Sequence, residues 1–341
     1  MTRVTALTAQ RSTPSAWFRV GQTIEELRHL GIETRWLPAR VSTFPPRAKW
    51  LRPLWLPMSV ASRFSQAAAS WRGEITWLAK EMVSTLVTWE PITRRPRVLD
   101  VDDAIWLHRG GRAARAIARR VDCIVVGNSF LADWFSQHNA NVIVIPTAVD
   151  TSRFLPRSKQ GESRPIRSIG WTGTSGNLKY LYAIESPLLA ILQQHPDTVL
   201  RVICDRPPVF RGIPSERLQY VRWTREREVG DLQSLDVGLM PLDDTDWERG
   251  KCALKLLLYM ACGIPVIASP VGVNREILSA RVVGFSARRP EEWQSALDTL
   301  VRDPELGRKL GSNGRRLVEN SYSVRRVARQ LAKCFLELSK D

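Results

Sequence analysis

The stretch from Asp236 to Glu276, DVGLMPLDDTDWERGKCALKLLLYMACGIPVIASPVGVNRE, constrains the fold more than any other part of the chain. A short apolar run, Val237 to Met240, ends at Pro241 and a polar, acidic loop. The run from about Cys252 to Cys262 has helical character and stops at Gly263. A second apolar run, Pro265 to Ala268, breaks at Ser269-Pro270 before a helix start near Asn274. Strand, loop, helix, strand, turn and helix in that order are the grammar of a parallel sheet with crossover helices. Ligands of such sheets bind beyond the carboxyl ends of the strands. Lys251 and Lys255 stand four residues apart, so the sequence places both on the first turn of one helix. Two cations beside free backbone N–H groups suit a diphosphate. Surface lysines at a helix start suit the bland reading equally well.

The ordered combination resembles the C-terminal signature of the GT-B glycosyltransferases of family 4. The resembling residues are Trp247 to Lys251, Lys255-Leu256-Leu257, Tyr259 to Gly263, Pro265 to Pro270 and Gly272 to Glu276. The resemblance implies an α/β fold of the GT-B type, two Rossmann-like domains whose parallel sheets face each other across a cleft. It also implies a retaining transfer of sugar from a nucleotide-diphosphate donor to a hydroxyl, with no metal and no cofactor besides the donor.

A chain of 341 residues suffices for two domains with full cores, and 44% hydrophobic with 25% charged residues marks it as globular. The five cysteines are scattered outside any metal-ligand spacing, which fits a reducing cytoplasm. No run approaches the length of a spanning helix or a signal peptide, so the expectation is a cytoplasmic protein, soluble or peripheral at the inner face of the membrane. Fifty basic against 34 acidic residues give a net charge of +16. The excess points to an anionic partner, although arginine-rich codon usage gives the same excess. Nucleic-acid binding rests on this charge alone and is not expected.

Along the chain, Val4 to Thr8 reads as a first strand, Trp17 to Leu30 as a helix and Ile32 to Leu37 as a second strand. Members of the family often carry a glycine pair in the first loop, where this chain has Arg11 to Ser15. Residues 44 to 72 interleave Trp50, Trp55 and Trp71 with Arg47, Lys49, Arg52, Arg63 and Arg72 and contain no acid. That mix suits an anionic membrane surface, single-stranded nucleic acid, or an irregular loop with its indoles packed on the core. Strands over Glu74 to Leu78 and Arg97 to Val101 bring Asp102 and Asp103 to a sheet edge. The run on to His108 resembles an N-domain motif of some of these transferases. Asp102, Asp103 and His108 are therefore the candidate contacts to the transferred sugar or the acceptor hydroxyl, although an aspartate at a strand end also caps helices.

The expected organisation is an acceptor-side domain over residues 1–155, a linker over 156–165, a nucleotide-sugar domain over 166–320, and a helix over 321–341 that crosses back. In the second half, Thr172 to Asn177 is a glycine- and hydroxyl-rich turn followed by Lys179. Thr174, Ser175 and Lys179 are the candidates there for gripping a diphosphate. Glu276, in a first helical turn, is a candidate for orienting the sugar. The resemblance implies a ribose-binding glutamate at the position of Leu258 and a second glutamate eight residues earlier, at Gly250. Both are missing, and Glu248 is the nearest carboxylate. The expected partners are a nucleotide-sugar donor, a saccharide or lipid-linked acceptor and, through residues 44–72, an anionic membrane. The expected role lies in surface polysaccharide or glycolipid synthesis. A GT-B module that has lost turnover and serves in a polysaccharide-assembly complex is the alternative.

Overall fold

The computed structural model describes residues 1–157, 165–280 and 282–340. They form two compact units. The first comprises Met1–Ala148, Gly250–Cys252 and Val324–Asp341, and the second comprises Val149–Arg249 and Ala253–Ser323. Most of the run expected as a linker, residues 158–164, lies outside the described residues.

The first unit holds strands β1 (Thr2–Thr8), β2 (Ile32–Pro38), β3 (Ile75–Ala79), β4 (Arg97–Val101), β5 (Cys123–Val126) and β6 (Val142–Val144). They form one parallel sheet in the order β2-β1-β3-β4-β5-β6. Its helices are α1 (Ile24–His29), α2 (Arg52–Ser70), α3 (Arg112–Ala118) and α4 (Ser129–Phe135). Right-handed crossovers put α1 on one face of the sheet and α2, α3 and α4 on the other. The four residues of β5 are all buried, as strands covered on both faces must be.

The second unit holds β7 (Ser168–Gly173), α5 (Leu178–Tyr182), α6 (Glu185–Gln194), β8 (Val199–Cys204), β9 (Leu218–Arg222), α7 (Glu228–Gln233) and β10 (Val237–Met240). After these come α8 (Asp246–Arg249), α9 (Leu254–Ala261), β11 (Val266–Ala268), α10 (Val273–Ala280), β12 (Gly284–Ser286), α11 (Pro290–Arg302) and α12 (Pro304–Leu317). Its parallel strands run β12-β11-β10-β7-β8-β9. The chain moves outward from β7 through β8 to β9 and then returns to the other side of β7, so the strand order reverses between β7 and β10. Helix α13 (Val324–Leu338) returns to the first unit. Its Val327, Leu331 and Phe335 pack with Val4, Leu27 and Trp77 in one core, and the Phe335 ring meets the Trp77 ring edge-on at 5.2 Å.

Two segments depart from the sequence reading. The helix expected over Trp17 to Leu30 is broken into a π turn at 16–20, a 3-10 turn at 21–23 and α1. Gly21 lies at the break, where a Cβ would come within 2.7 Å of the Trp17 ring and 2.8 Å of Trp36. Two indoles thus close over a residue with low helix propensity. The reading of residues 44–72 as an irregular loop is also corrected, since residues 52–70 form the nineteen-residue α2. Pro53 falls in its first turn, where the missing N–H costs little, and Pro57 follows one turn later.

Candidate active site

In the first unit the candidate residues gather at the carboxyl ends of β3 and β4. The register pairs Ala79 with Asp100, so the residues just beyond, Lys80 on one strand and Asp102 and Asp103 on the other, come together. Lys80 Nζ lies 2.6 Å from Asp102 Oδ1 and also pairs with Asp103. Lys80 holds a left-handed φ of 66°, which turns its side chain across the strand ends. Burial works against its charge, but Asp102 and Asp103 together outweigh that and hold its proton more tightly than usual. Burial pushes the Asp103 carboxyl up, with Lys80 and Lys251 drawing it back. Lys80 was not among the candidates read from the sequence. The signal was the parallel register itself, which sets a cation after one strand beside two acids after the next.

Behind this cluster Asp100 is fully enclosed. It accepts from Arg19 Nε at 2.8 Å and from Trp77 Nε1 at 3.2 Å, while Arg19 also donates to the Ile145 carbonyl at 2.9 Å. Burial alone would loosen the Arg19 proton, but Asp100 more than compensates, and the guanidinium stays charged. His108 is exposed, at the end of a 3-10 turn (Ile105–Leu107) anchored by Trp106, which stacks on Trp134 at 4.7 Å.

The segment Gly250–Cys252 also belongs to this unit. Asn128 Nδ2 donates to the carbonyls of Gly250 and Lys251, at 3.2 and 3.1 Å, while its Oδ1 caps α4 by accepting from Leu131 N. A Cβ on Gly250 would lie 2.7 Å from Ala104 Cβ and 2.8 Å from Ala104 N. No side chain fits, so the glutamate that the family resemblance implies at this position is sterically excluded. Gly250→Ala is expected to cost about 1–3 kcal/mol of stability through overpacking against backbone. An unchanged melting temperature for that variant would show that the segment is not docked on Ala104.

The structure corrects the pairing of Lys251 with Lys255. They do not share a helical turn, because Ala253 adopts a left-handed φ of 54° and α9 begins only at Leu254. Lys251 stays near Asp103 in the first unit, and Lys255 belongs to the second.

In the second unit the candidate residues gather at the carboxyl ends of β7, β10 and β11, around the reversal of strand order where ligands of such sheets bind. Lys255 reaches back from α9 to β7, with Nζ 4.2 Å above the Trp171 ring. A Cβ on Gly173 would collide with that ammonium, so the glycine opens the passage for it. The turn that follows is a 3-10 turn, Ser175–Asn177, leading into α5. Lys179 is exposed there, with Nζ 4.5 Å above the Tyr180 ring and 3.9 Å from Asp243. Thr174 is exposed and accepts from Asn177 Nδ2 at 3.0 Å, which leaves its own O–H to donate. Ser175 is engaged differently from the sequence reading. Its N–H and its hydroxyl both donate to Asp205 after β8, at 2.5 and 2.9 Å, and they brace the turn.

Glu248 is buried and accepts from Tyr180 Oη and Thr245 Oγ1. Burial and this carboxylate both raise the Tyr180 phenol, which therefore remains the donor. The contact ties α8 to α5. Leu258 is only 4% exposed and presents hydrocarbon where the resemblance implies a carboxylate. Glu276 is exposed in the first turn of α10. The turn before it is held by Asn274 Nδ2 donating to the Ser269 carbonyl at 3.1 Å and by Ser269 Oγ accepting from Leu242 N at 3.0 Å.

Several solved structures share this architecture. Sucrose-phosphate synthase from Thermosynechococcus elongatus is 15% identical over 99% of both chains, with a TM-score of 0.73. Anabaena Alr3699/HepE, in complex with UDP and glucose, is 14% identical over 99% of this chain and 100% of that one, with a TM-score of 0.72. WaaG, a glycosyltransferase involved in lipopolysaccharide biosynthesis, is 10% identical over 98% and 99% of the two chains, with a TM-score of 0.65. The fold is that of the GT-B glycosyltransferases. Residues 168–303 match the family model of the glycosyl transferases group 1. Apart from Gly250–Cys252 the matched residues lie in the second unit, so it is this half of the chain that is similar to the group 1 glycosyl transferases. No curated protein matches the sequence.

Proposed function

We propose that the protein transfers a sugar, with retention of configuration, from a nucleoside-diphosphate donor to a hydroxyl on a saccharide or lipid-linked acceptor in surface polysaccharide or glycolipid synthesis. The observation that carries this reading is the cation-bearing glycine turn after β7, where Lys255 is held over Trp171 and the exposed Thr174 is followed by the exposed Lys179 at the start of α5. The barrier in such a transfer is the separation of a diphosphate from an oxocarbenium-like sugar. Fixed cations and donors aimed at the departing charge lower it without reorganising. Lys255, Lys179 and the Thr174 hydroxyl fill that role in this proposal, and no metal is required. Asp102 and Asp103, oriented by Lys80, are the acceptor-side carboxylates, placed to orient the attacking hydroxyl and take its proton late. Glu276 contacts the sugar in this reading. The five free thiols, all buried, suit a cytoplasmic setting.

Calorimetric titration with UDP, GDP and their sugar conjugates, without and then with magnesium, tests the proposal. Micromolar binding to one nucleotide in the absence of metal, followed by slow hydrolysis of the matching sugar conjugate, is the expected outcome. Binding without any turnover, across a panel of acceptors, would favour the second reading, a binding module. That reading draws on the engaged Glu248, the enclosed Gly250 and the apolar Leu258, which leave neither family glutamate position with a carboxylate. No nucleotide binding from folded protein would overturn the transferase assignment.

A further inference from the structure

Helix α2 is folded inside out. Its buried residues are Ser59, Arg63, Gln66, Ala67 and Ser70, a face that is polar except for one alanine. That polarity is satisfied within the unit. Arg63 Nη1 donates to the Thr8 carbonyl at 2.9 Å and also to Gln66 Oε1, and Gln66 Nε2 donates to the Pro38 carbonyl at 2.7 Å. The opposite face carries Leu54, Met58, Ala61, Ser65 and Ala68 at three- and four-residue spacing, flanked by Pro57 and Phe64. Leu54 is 65% exposed, Met58 60% and Phe64 50%. Between Arg52 and Arg72 the only charged residue is Arg63, which is buried, so the outward face has no charge at all. Soluble helices put their apolar stripe on the core, and this one does the reverse.

The two ends of the helix say what covers that face. Trp50 before the helix is 76% exposed, with exposed Arg47, Lys49 and Arg52 around it. Trp71 after the helix is 60% exposed, with exposed Arg72 beside it and Arg94 5.5 Å over its ring. No acidic residue occurs from Thr34 to Gly73. Nineteen residues make a rod about 28 Å long, uncharged along its outer side, with an indole and cations at each end. Indoles favour the headgroup level of a bilayer, and cations favour anionic lipid. No described helix is long and apolar enough to cross a membrane, so the arrangement suits a helix lying in the surface. A protein partner would be expected to meet charges along the stripe, which has none, and the Ser65 hydroxyl turns back to the Ser62 carbonyl of its own helix at 3.3 Å.

We propose that the outer face of α2 docks on an anionic bilayer, with Leu54, Met58 and Phe64 entering the acyl boundary and Arg47, Lys49 and Arg52 engaging lipid headgroups. This goes beyond the transferase reading and does not rest on it, since none of these residues is among those assigned to chemistry.

Sedimentation with vesicles of phosphatidylcholine alone, and of phosphatidylcholine mixed with phosphatidylglycerol, tests it. The full chain is expected to sediment with the mixed vesicles and to stay in solution with the neutral ones. Leu54→Asp/Met58→Asp is expected to weaken the association by at least about tenfold. Arg47→Ala/Lys49→Ala/Arg52→Ala is expected to weaken it on the order of a hundredfold. All of these positions are exposed, so the variants keep the fold, and nucleotide titration of the same samples reads the transferase site separately. Absence of sedimentation with mixed vesicles overturns the proposal. So does undiminished association of the aspartate variant. A dimer, seen by light scattering, that the aspartate variant dissolves would overturn it in favour of a second copy of the chain.

Discussion

Replacing Lys255 by methionine lowers the affinity for a nucleoside diphosphate by about thirty- to a hundredfold, the effect of removing a charged hydrogen bond of about 2–3 kcal/mol. Methionine keeps most of the aliphatic stem that lies along Trp171, so the packing of α9 against β7 survives and the loss belongs to the charge. The indole face holds the ammonium beside Gly173 before any ligand arrives, and this preorganisation makes the lysine costly to lose. Calorimetry with whichever nucleotide binds the parent protein gives the number, and a thermal melt confirms the fold. A dissociation constant within twofold of the parent would remove Lys255 from the site. Lys179, exposed and 3.9 Å from Asp243, is worth less by the same reasoning, because solvent screens it.

The larger effect on stability is expected from Arg19→Met. Asp100 lies fully enclosed with the Arg19 guanidinium as its charge partner, and the remaining neighbour on its carboxylate is the Trp77 indole N–H. Removing the cation leaves a buried carboxylate uncompensated, at a cost of about 3–5 kcal/mol. For a unit of this size that lowers the melting temperature on the order of 10 °C. Adding Asp100→Leu to the same chain is expected to recover most of the loss, because a buried pair exchanged for hydrocarbon is often neutral. Melting curves of the single and double variants decide the point. Equal melting temperatures for the parent and Arg19→Met would mean that water reaches Asp100.

The strands were legible because they are short apolar runs bounded by proline, glycine and polar turns. Val237 to Met240 and Cys123 to Val126 stand in the sequence nearly as they stand in the sheets. Helix α13 was legible for a related reason, since Val324, Val327, Ala328, Leu331 and Phe335 repeat at helical spacing. Helix α2 was hidden because its two prolines mimic a loop and its polar residues point inward, so the usual stripe leads to the wrong face. Around the site, residue type was legible and geometry was not. Ser175 and Glu248 have the chemistry of ligand contacts, yet Asp205, Tyr180 and Thr245 engage them, and those partners lie 3 to 68 residues away in sequence. The separation of Lys251 from Lys255 turns on one left-handed residue, Ala253, an uncommon conformation for alanine and therefore invisible to spacing rules.

The placement of α13 has a consequence for how the molecule is made. The first unit begins at the amino terminus, yet the Trp77 ring finds its neighbour in Phe335, and Val4 and Leu27 share their core with Val327 and Leu331. A nascent chain folds from its amino end as it emerges. Here the ribosome has translated the whole second unit before the segment that completes the core beside α1 exists. Until then Val4, Leu27 and Trp77 lack the neighbours that α13 supplies. A chain cut before Val324 keeps every strand named above and lacks Val327, Leu331 and Phe335 from that core.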